Sequence, residues 1–304
     1  MTGAGTIAAM TQEALVLVSY GNRGIIEFPD GAQTDCNYRR SVGRPICGDR
    51  VMVESTGEET AVVTGILPRV NEFARADARQ RKQIIAANLD QVFIVIAPEP
   101  EPSKDLLERY LVAVHSLGIK PVVVVNKCEL LVSGDDASVG ALSRLDQYRR
   151  LGYDVINVSC KCDPGIESLR PLLHGKISIL VGQSGVGKSS LANALIPDLD
   201  LQTGALSRVT GKGVHTTTTT IMYSLPSGGK LVDSPGVWEY GLWDMDPGEL
   251  ERGFREFAPY PQHCKFRNCR HAGEPHCAVT AAVAKGEILE WRYESYRRLL
   301  TQAG

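Results

Sequence analysis

The sequence predicts a multidomain chain: an OB-like N-terminal β-barrel, a central α/β domain organised around a phosphate-binding loop, and a C-terminal helical domain that holds a metal. Three observations carry this. Residues 14–67 are short β-type runs separated by turns, with no helical period. Residues 92–181 alternate apolar strands with helix-length segments and lead into Gly182-Gln183-Ser184-Gly185-Val186-Gly187-Lys188-Ser189, which fits G-x-x-x-x-G-K-[ST]. Residues 264–277 crowd three cysteines around His271. The expected limits are 1–12 for a disordered lead, 13–68 for the barrel, 69–90 for a basic connector, 91–240 for the central domain and 241–304 for the C-terminal domain.

Composition bounds the function. A chain of 304 residues has room for two or three domains. A net charge of −2 provides no global basic field, so any nucleic-acid surface must be a local patch. No apolar run approaches the roughly 18 residues of a membrane span. The first residues lack a basic segment followed by an apolar core, so neither a signal peptide nor a membrane partner is expected, and the location expected is cytoplasmic. Of eight cysteines, Cys36, Cys47, Cys128, Cys160 and Cys162 are scattered, which suggests a metal site plus ordinary thiols and not a disulfide framework.

In the barrel, strands are expected at 15–19, 24–28, 50–54 and 60–67, within a total of about five. An OB barrel fits this spacing, with an SH3-like barrel as the alternative. Arg39, Arg40, Arg44 and Arg50 either line a nucleic-acid face or form an ordinary solvated surface. The connector carries Arg69, Arg75, Arg79, Arg81 and Lys82, placed to touch RNA phosphates or simply to stay solvated.

From residue 92 the pattern is strand 92–97, helix 104–117, strand 121–125, helix 142–151, strand 154–158, helix 166–173 and strand 177–181. Apolar strands separated by helices imply a parallel sheet covered on both faces, whose ligands bind at the strand carboxyl ends. Asn126, Ser159 and Gly182, each just past a strand, should therefore share one edge.

Each of these positions suits a nucleotide. The loop glycines let backbone N–H groups face phosphate oxygens at a helix N-terminus, Lys188 reaches the β- and γ-phosphates, the Ser189 hydroxyl meets Mg²⁺, and Ser190 is counted with the nucleotide-binding residues. The alternative is a glycine-rich turn without a ligand. Asn126-Lys127-Cys128-Glu129 supplies an amide for a purine edge, a cation over the ring and a carboxylate for the guanine N1–H and 2-amino group. Ser159-Cys160-Lys161 places a backbone N–H towards guanine O6. After the loop comes a polar stretch with His215 and Thr216, Thr217 and Thr218, one of which would complete the Mg²⁺ shell; a Thr-rich surface strand is the alternative. Strands at 221–225 and 230–232 lead to Asp233-Ser234-Pro235-Gly236, where Asp233 would hold Mg²⁺ through water and Gly236 would turn its N–H to the γ-phosphate.

The motif order NKCE, SCK, GQSGVGKS, HTTT, DSPG resembles a Ras-like GTPase that has been circularly permuted, with the guanine motifs ahead of the phosphate loop. With a barrel before and a Cys/His cluster after, nearly the whole chain is similar to the RsgA (YjeQ) family of ribosome-associated GTPases. The resemblance implies a phosphoric anhydride hydrolase that binds GTP and GDP and acts in late maturation of the small (30S) ribosomal subunit. It also implies contact with that subunit's rRNA through the barrel, and stimulation by the subunit. A monomer is expected. Two departures stand out: Glu129 replaces the family's usual Asp, and Cys160 its usual Ala. Val237 occupies the place of the water-orienting Gln of Ras-like enzymes, so basal hydrolysis should be slow. His215, which the family pattern shares, is the candidate to orient the water; a solvated switch histidine is the alternative.

In the C-terminal row, Cys264-x4-Cys269-x-His271-x5-Cys277 supplies three thiolates and one imidazole, a set for one closed, structural Zn²⁺ site. His263 and His276 are rival ligands; the family resemblance selects His271. The final helix, 289–300, is aromatic and basic (Trp291, Arg292, Tyr293, Tyr296, Arg297, Arg298), suited to packing the lobe or to facing RNA.

Overall fold

A computed structural model describes residues 11–55, 60–76, 82–103, 105–131, 142–196, 199, 220–233 and 246–302. The chain forms two compact units, one from residues 1–90, 170–179 and 192–237, the other from 91–169, 180–191 and 238–304.

The first unit opens with β1 (Thr11–Tyr20), β2 (Arg23–Glu27), β3 (Gln33–Tyr38), β4 (Arg50–Ser55) and β5 (Thr60–Ile66). β1 pairs with both β2 and β4, and β3 runs parallel to β5, which closes the order β1-β2-β3-β5-β4-β1. This five-stranded closure is the OB arrangement, and the SH3-like alternative falls away. Val16, Ile26, Cys36, Val51, Val53 and Val63 fill the interior. β3 escaped the sequence reading because only Cys36 and Tyr38 of QTDCNY are buried. β1 starts earlier than its apolar run, since Thr11 and Gln12 pair with Glu54 and Val53 through backbone.

The expected connector instead holds an antiparallel hairpin, β6 (Glu72–Ala76) and β7 (Lys82–Ala87), with Phe73, Ile85, Ala86 and Ala87 buried. Arg69, one of the connector's basic residues, is bound up within the fold. Its guanidinium donates to both oxygens of wholly buried Asp49 at 2.7 and 2.9 Å, and to Glu72 at 2.9 Å. Two barrel arginines are also paired, Arg39 with Glu54 at 2.6 Å and Arg50 with Glu13 at 2.5 Å, while Arg40 and Arg44 are exposed. Arg79 and Arg81 lie outside the described residues.

The second unit begins with β8 (Gln91–Ile96), α1 (Leu106–Ser116), β9 (Lys120–Val125), α2 (Leu145–Arg150) and β10 (Asp154–Asn157). The strands are parallel, with Ile96 opposite Val125 and Val125 opposite Asn157, so their carboxyl ends are level. Every residue of β8 is buried, as a strand covered on both faces requires.

The chain continues through a short α3 (Arg170–Leu173), β11 (Ile177–Val181) and α4 (Lys188–Leu195). β12 (Ile221–Ser224) and β13 (Lys230–Asp233) form a hairpin in the first unit, where β13 lies parallel to the start of β11 and β12 pairs with β1. β12 is thus a third partner of β1, whose Val16, Leu17 and Val18 are all buried.

The C-terminal lobe belongs to the second unit and comprises α5 (Pro247–Gly253), α6 (Ala278–Ala284) and α7 (Glu290–Gln302). α5 starts on a capping box: Asp246 accepts from the Gly248 and Glu249 N–H groups while Glu249 returns to the Asp246 N–H. Tyr296 packs edge to face against Phe254 and Phe257, whose own rings are tilted at 31°, alongside Leu250, Val279 and Leu299. Two basic residues of α7 serve packing, while Arg297 is exposed. Arg292 is wholly buried, 2.5 Å from Glu256, and its guanidinium lies 4.4 Å above the Phe254 ring. Arg298 grips Asp105 at 2.7 and 2.8 Å.

Candidate functional site

Three loops of the second unit converge beyond the ends of β9, β10 and β11. Asn126 follows β9 and is buried; its N–H donates to Ile96 O at 2.9 Å, and its Nδ2 donates to Val186 O in the phosphate loop, also at 2.9 Å. Gly187 makes this approach possible: its φ is +92°, and a Cβ there would lie 2.3 Å from Asn126 Nδ2. The NKCE loop is thus stitched to the phosphate loop, and the Cys128 N–H ties it to Val158 O at 3.2 Å.

Lys127 holds φ +57° and donates through Nζ to Glu99 O at 2.6 Å. Glu129 lies beside Ser159, whose hydroxyl, helped by Lys161 and Lys127, holds the carboxyl below the usual carboxylate range. One Glu129 oxygen, Oε2, is shielded from solvent and has no hydrogen-bond partner among the described residues, an acceptor suited to a donor pair such as guanine N1–H and its 2-amino group. Ser159 Oγ accepts from the Lys161 and Cys162 N–H groups at 3.0 and 3.2 Å, which curls the SCK loop, and Cys160 Sγ lies 4.0 Å from Asn126 Oδ1.

In the phosphate loop, Gly182 and Val186 are buried, Gln183 and Gly187 half-buried, and Ser184, Gly185, Ser189 and Ser190 exposed. Lys188 Nζ donates to the carbonyls of Gly182 and Gln183, both at 2.8 Å, and burial brings its ammonium down to about 8. The NKCE loop, the SCK loop and the phosphate loop therefore form one constellation. Asp233 ends β13 in the first unit, where burial raises its carboxyl above the ordinary value. His215, Thr216, Thr217, Thr218 and Gly236 lie outside the described residues.

Two participants were not anticipated: the Glu99 carbonyl that anchors Lys127, and the Gly165 carbonyl that accepts from the Ser159 N–H at 3.2 Å. Both are backbone groups, so no side-chain motif marks them.

The second constellation is in the lobe. Cys264, Cys269, His271 and Cys277 bring their ligand atoms within 4.8 Å of one another. Cys264 Sγ and Cys277 Sγ are 4.0 Å apart, and His271 Nδ1 lies 3.6 and 3.3 Å from them. Three sulfurs and one imidazole converging this closely fit a tetrahedral ion, and the rivals His263 and His276 are exposed outside the cluster. Burial opposes the Cys277 thiolate, yet hydrogen bonds from Thr280 and His271 bring that thiol below the ordinary value, while burial pushes the neighbouring Cys269 thiol up.

Similarity to known proteins identifies the family. Residues 66–243 match the family described as RsgA GTPase. The chain is 44% identical over 293 residues to "Small ribosomal subunit biogenesis GTPase RsgA" of Hahella chejuensis, covering 95% of this chain and 83% of that one. It is 42% identical over 289 residues to the protein of the same name in Pseudomonas aeruginosa, covering 95% and 85%. The crystal structure of YjeQ from Thermotoga maritima superposes with a TM-score of 0.79 at 31% identity, covering 97% of this chain and 99% of that one. That of YloQ, a circularly permuted GTPase, gives 0.78 at 26%, covering 99% and 98%. A permuted motif order, a phosphate loop stitched to a guanine-type loop and relatives at this identity have one reading: the chain is a GTP-hydrolysing enzyme and belongs to the RsgA GTPase family.

Proposed function

We propose that the chain hydrolyses GTP in the late maturation of the small ribosomal subunit, with the subunit stimulating a slow basal reaction. The observation that carries the nucleotide reading is the Asn126 to Val186 hydrogen bond, which joins base-reading and phosphate-binding loops into one pocket. Asn126 and Glu129 select guanine, Lys127 covers the ring, and the backbone of Cys160 and Lys161 meets O6. Loop N–H groups and Lys188 receive the phosphates, with Ser190 and Gly236 contributing at the margins. Ser189, Asp233 and one of Thr216 to Thr218 hold Mg²⁺, which offsets the phosphate charge when bound. His215 orients the attacking water, because Val237 has no group that can.

The cluster of Cys264, Cys269, His271 and Cys277 holds one Zn²⁺ in a structural role. The barrel's exposed Arg40 and Arg44 face rRNA. The functional parts follow the limits 13–68, 69–90, 91–240 and 241–304, and the protein works as a cytoplasmic monomer. Among the described residues no helix is long and apolar enough to cross a membrane.

Equilibrium titration with fluorescent GDP and ADP tests the base reading. GDP should bind at least tenfold more tightly, and Asn126→Ala should weaken GDP by about 10- to 100-fold, since a bonded buried amide is worth about 1–3 kcal/mol. Equal affinity for ADP would remove the guanine assignment.

A further inference from the structure

The metal cluster is approached from outside by a carboxylate that no ligand motif contains. Glu251, on α5, lies 20 residues before His271, and its Oε2 is 3.1 Å from His271 Nε2. The other ring nitrogen, Nδ1, faces the sulfurs of Cys264 and Cys277. We infer that Glu251 is the positioning residue of the metal centre: it holds His271 as the Nε2–H form, so that the ring ligates through Nδ1. This rests on the zinc reading above and deepens it.

Four features fix the arrangement. Turning the ring over would place carbon atoms against both the sulfurs and the carboxylate, so only one orientation meets both neighbours. His271 is in the left-handed region at φ +54°, and its carbonyl accepts from the Tyr293 hydroxyl at 2.7 Å, which sets the direction of the side chain. Phe257 and Tyr296 flank the ring, each with centroids 6.3 Å away. Glu251 itself sits on a helix fixed by its capping box, with Leu250 in the lobe core. A carboxylate on the far nitrogen of a ligating histidine orients the ring and raises its basicity, and losing such a partner typically costs 10- to 100-fold in metal affinity. It also makes α5 part of the metal centre, so ion and helix hold each other.

The test has two arms on the full chain. Long-range proton–nitrogen NMR of the zinc-loaded protein should find His271 Nδ1 metal-bound and Nε2 protonated; a metal-bound Nε2 overturns the inference. Zinc(II) competed against a chromophoric chelator should bind Glu251→Ala about 10- to 100-fold more weakly than wild type, with Glu251→Gln, which retains an acceptor, recovering most of the loss. Unchanged affinity in Glu251→Ala also overturns it. If Glu251→Ala does not fold, the NMR arm on the unaltered protein decides alone. A purified protein that takes up no zinc would instead remove the zinc reading, a failure distinct from either.

Discussion

Lys188 concentrates the chemistry of the nucleotide site in one side chain. Half-burial lowers its ammonium to about 8, well below a solvated lysine. Phosphate prefers the charged form, so nucleotide affinity should be full at pH 7 and fall as pH rises through 8, where the free protein loses that proton. Titrating GDP binding from pH 7 to 9.5 checks this; an affinity flat across that range would mean Lys188 does not meet the phosphates. Lys188→Ala should cut GTP turnover by at least about 100-fold, the usual cost of removing one charge-stabilising donor. Asn126 and Lys188 were legible in the sequence because their motifs bring their own strand and helix context. Glu251 was not, since a carboxylate meets a histidine 20 residues away only once α5 has folded against the cluster.

At the scale of elements, strands β8, β9 and β11 could be read from sequence because buried parallel strands are largely continuous apolar runs. β3 and the β6–β7 hairpin could not, because their stability lies in backbone pairing and a few inward side chains such as Cys36, Tyr38 and Phe73. Arg69 is the instructive case. Read as a charge it suggested RNA, but the fold uses it to neutralise Asp49. Arg69→Ala would leave a wholly buried carboxylate unpaired and should destabilise the first unit by about 3 kcal/mol in urea unfolding. A change in RNA affinity with no change in stability would instead support the phosphate-contact reading. In the lobe, α5 meets α1 at Gly253, where a Cβ would lie 2.5 Å from Val112 Cγ1 and 2.7 Å from its Cβ. Gly253→Ala should therefore cost about 1–3 kcal/mol through overpacking, measurable as a lowered unfolding midpoint.

For the whole molecule, the permuted order has a physical consequence. The NKCE loop follows β9 and precedes the phosphate loop in the chain, and the two are joined by the Asn126 to Val186 bond. Permutation leaves the strand-end geometry that nucleotide binding requires intact. The proposed zinc site makes the lobe dependent on an ion: removing zinc with a chelator should lower the lobe's thermal midpoint and expose Cys264 and Cys269 to thiol reagents, with little change if the cluster holds no metal. Most directly of all, phosphate release from GTP can be followed with and without purified small ribosomal subunits, using Lys188→Ala as the background. Slow release that rises strongly with subunits and vanishes in the variant is the predicted result. Release that ignores subunits, or that survives in Lys188→Ala, would contradict it.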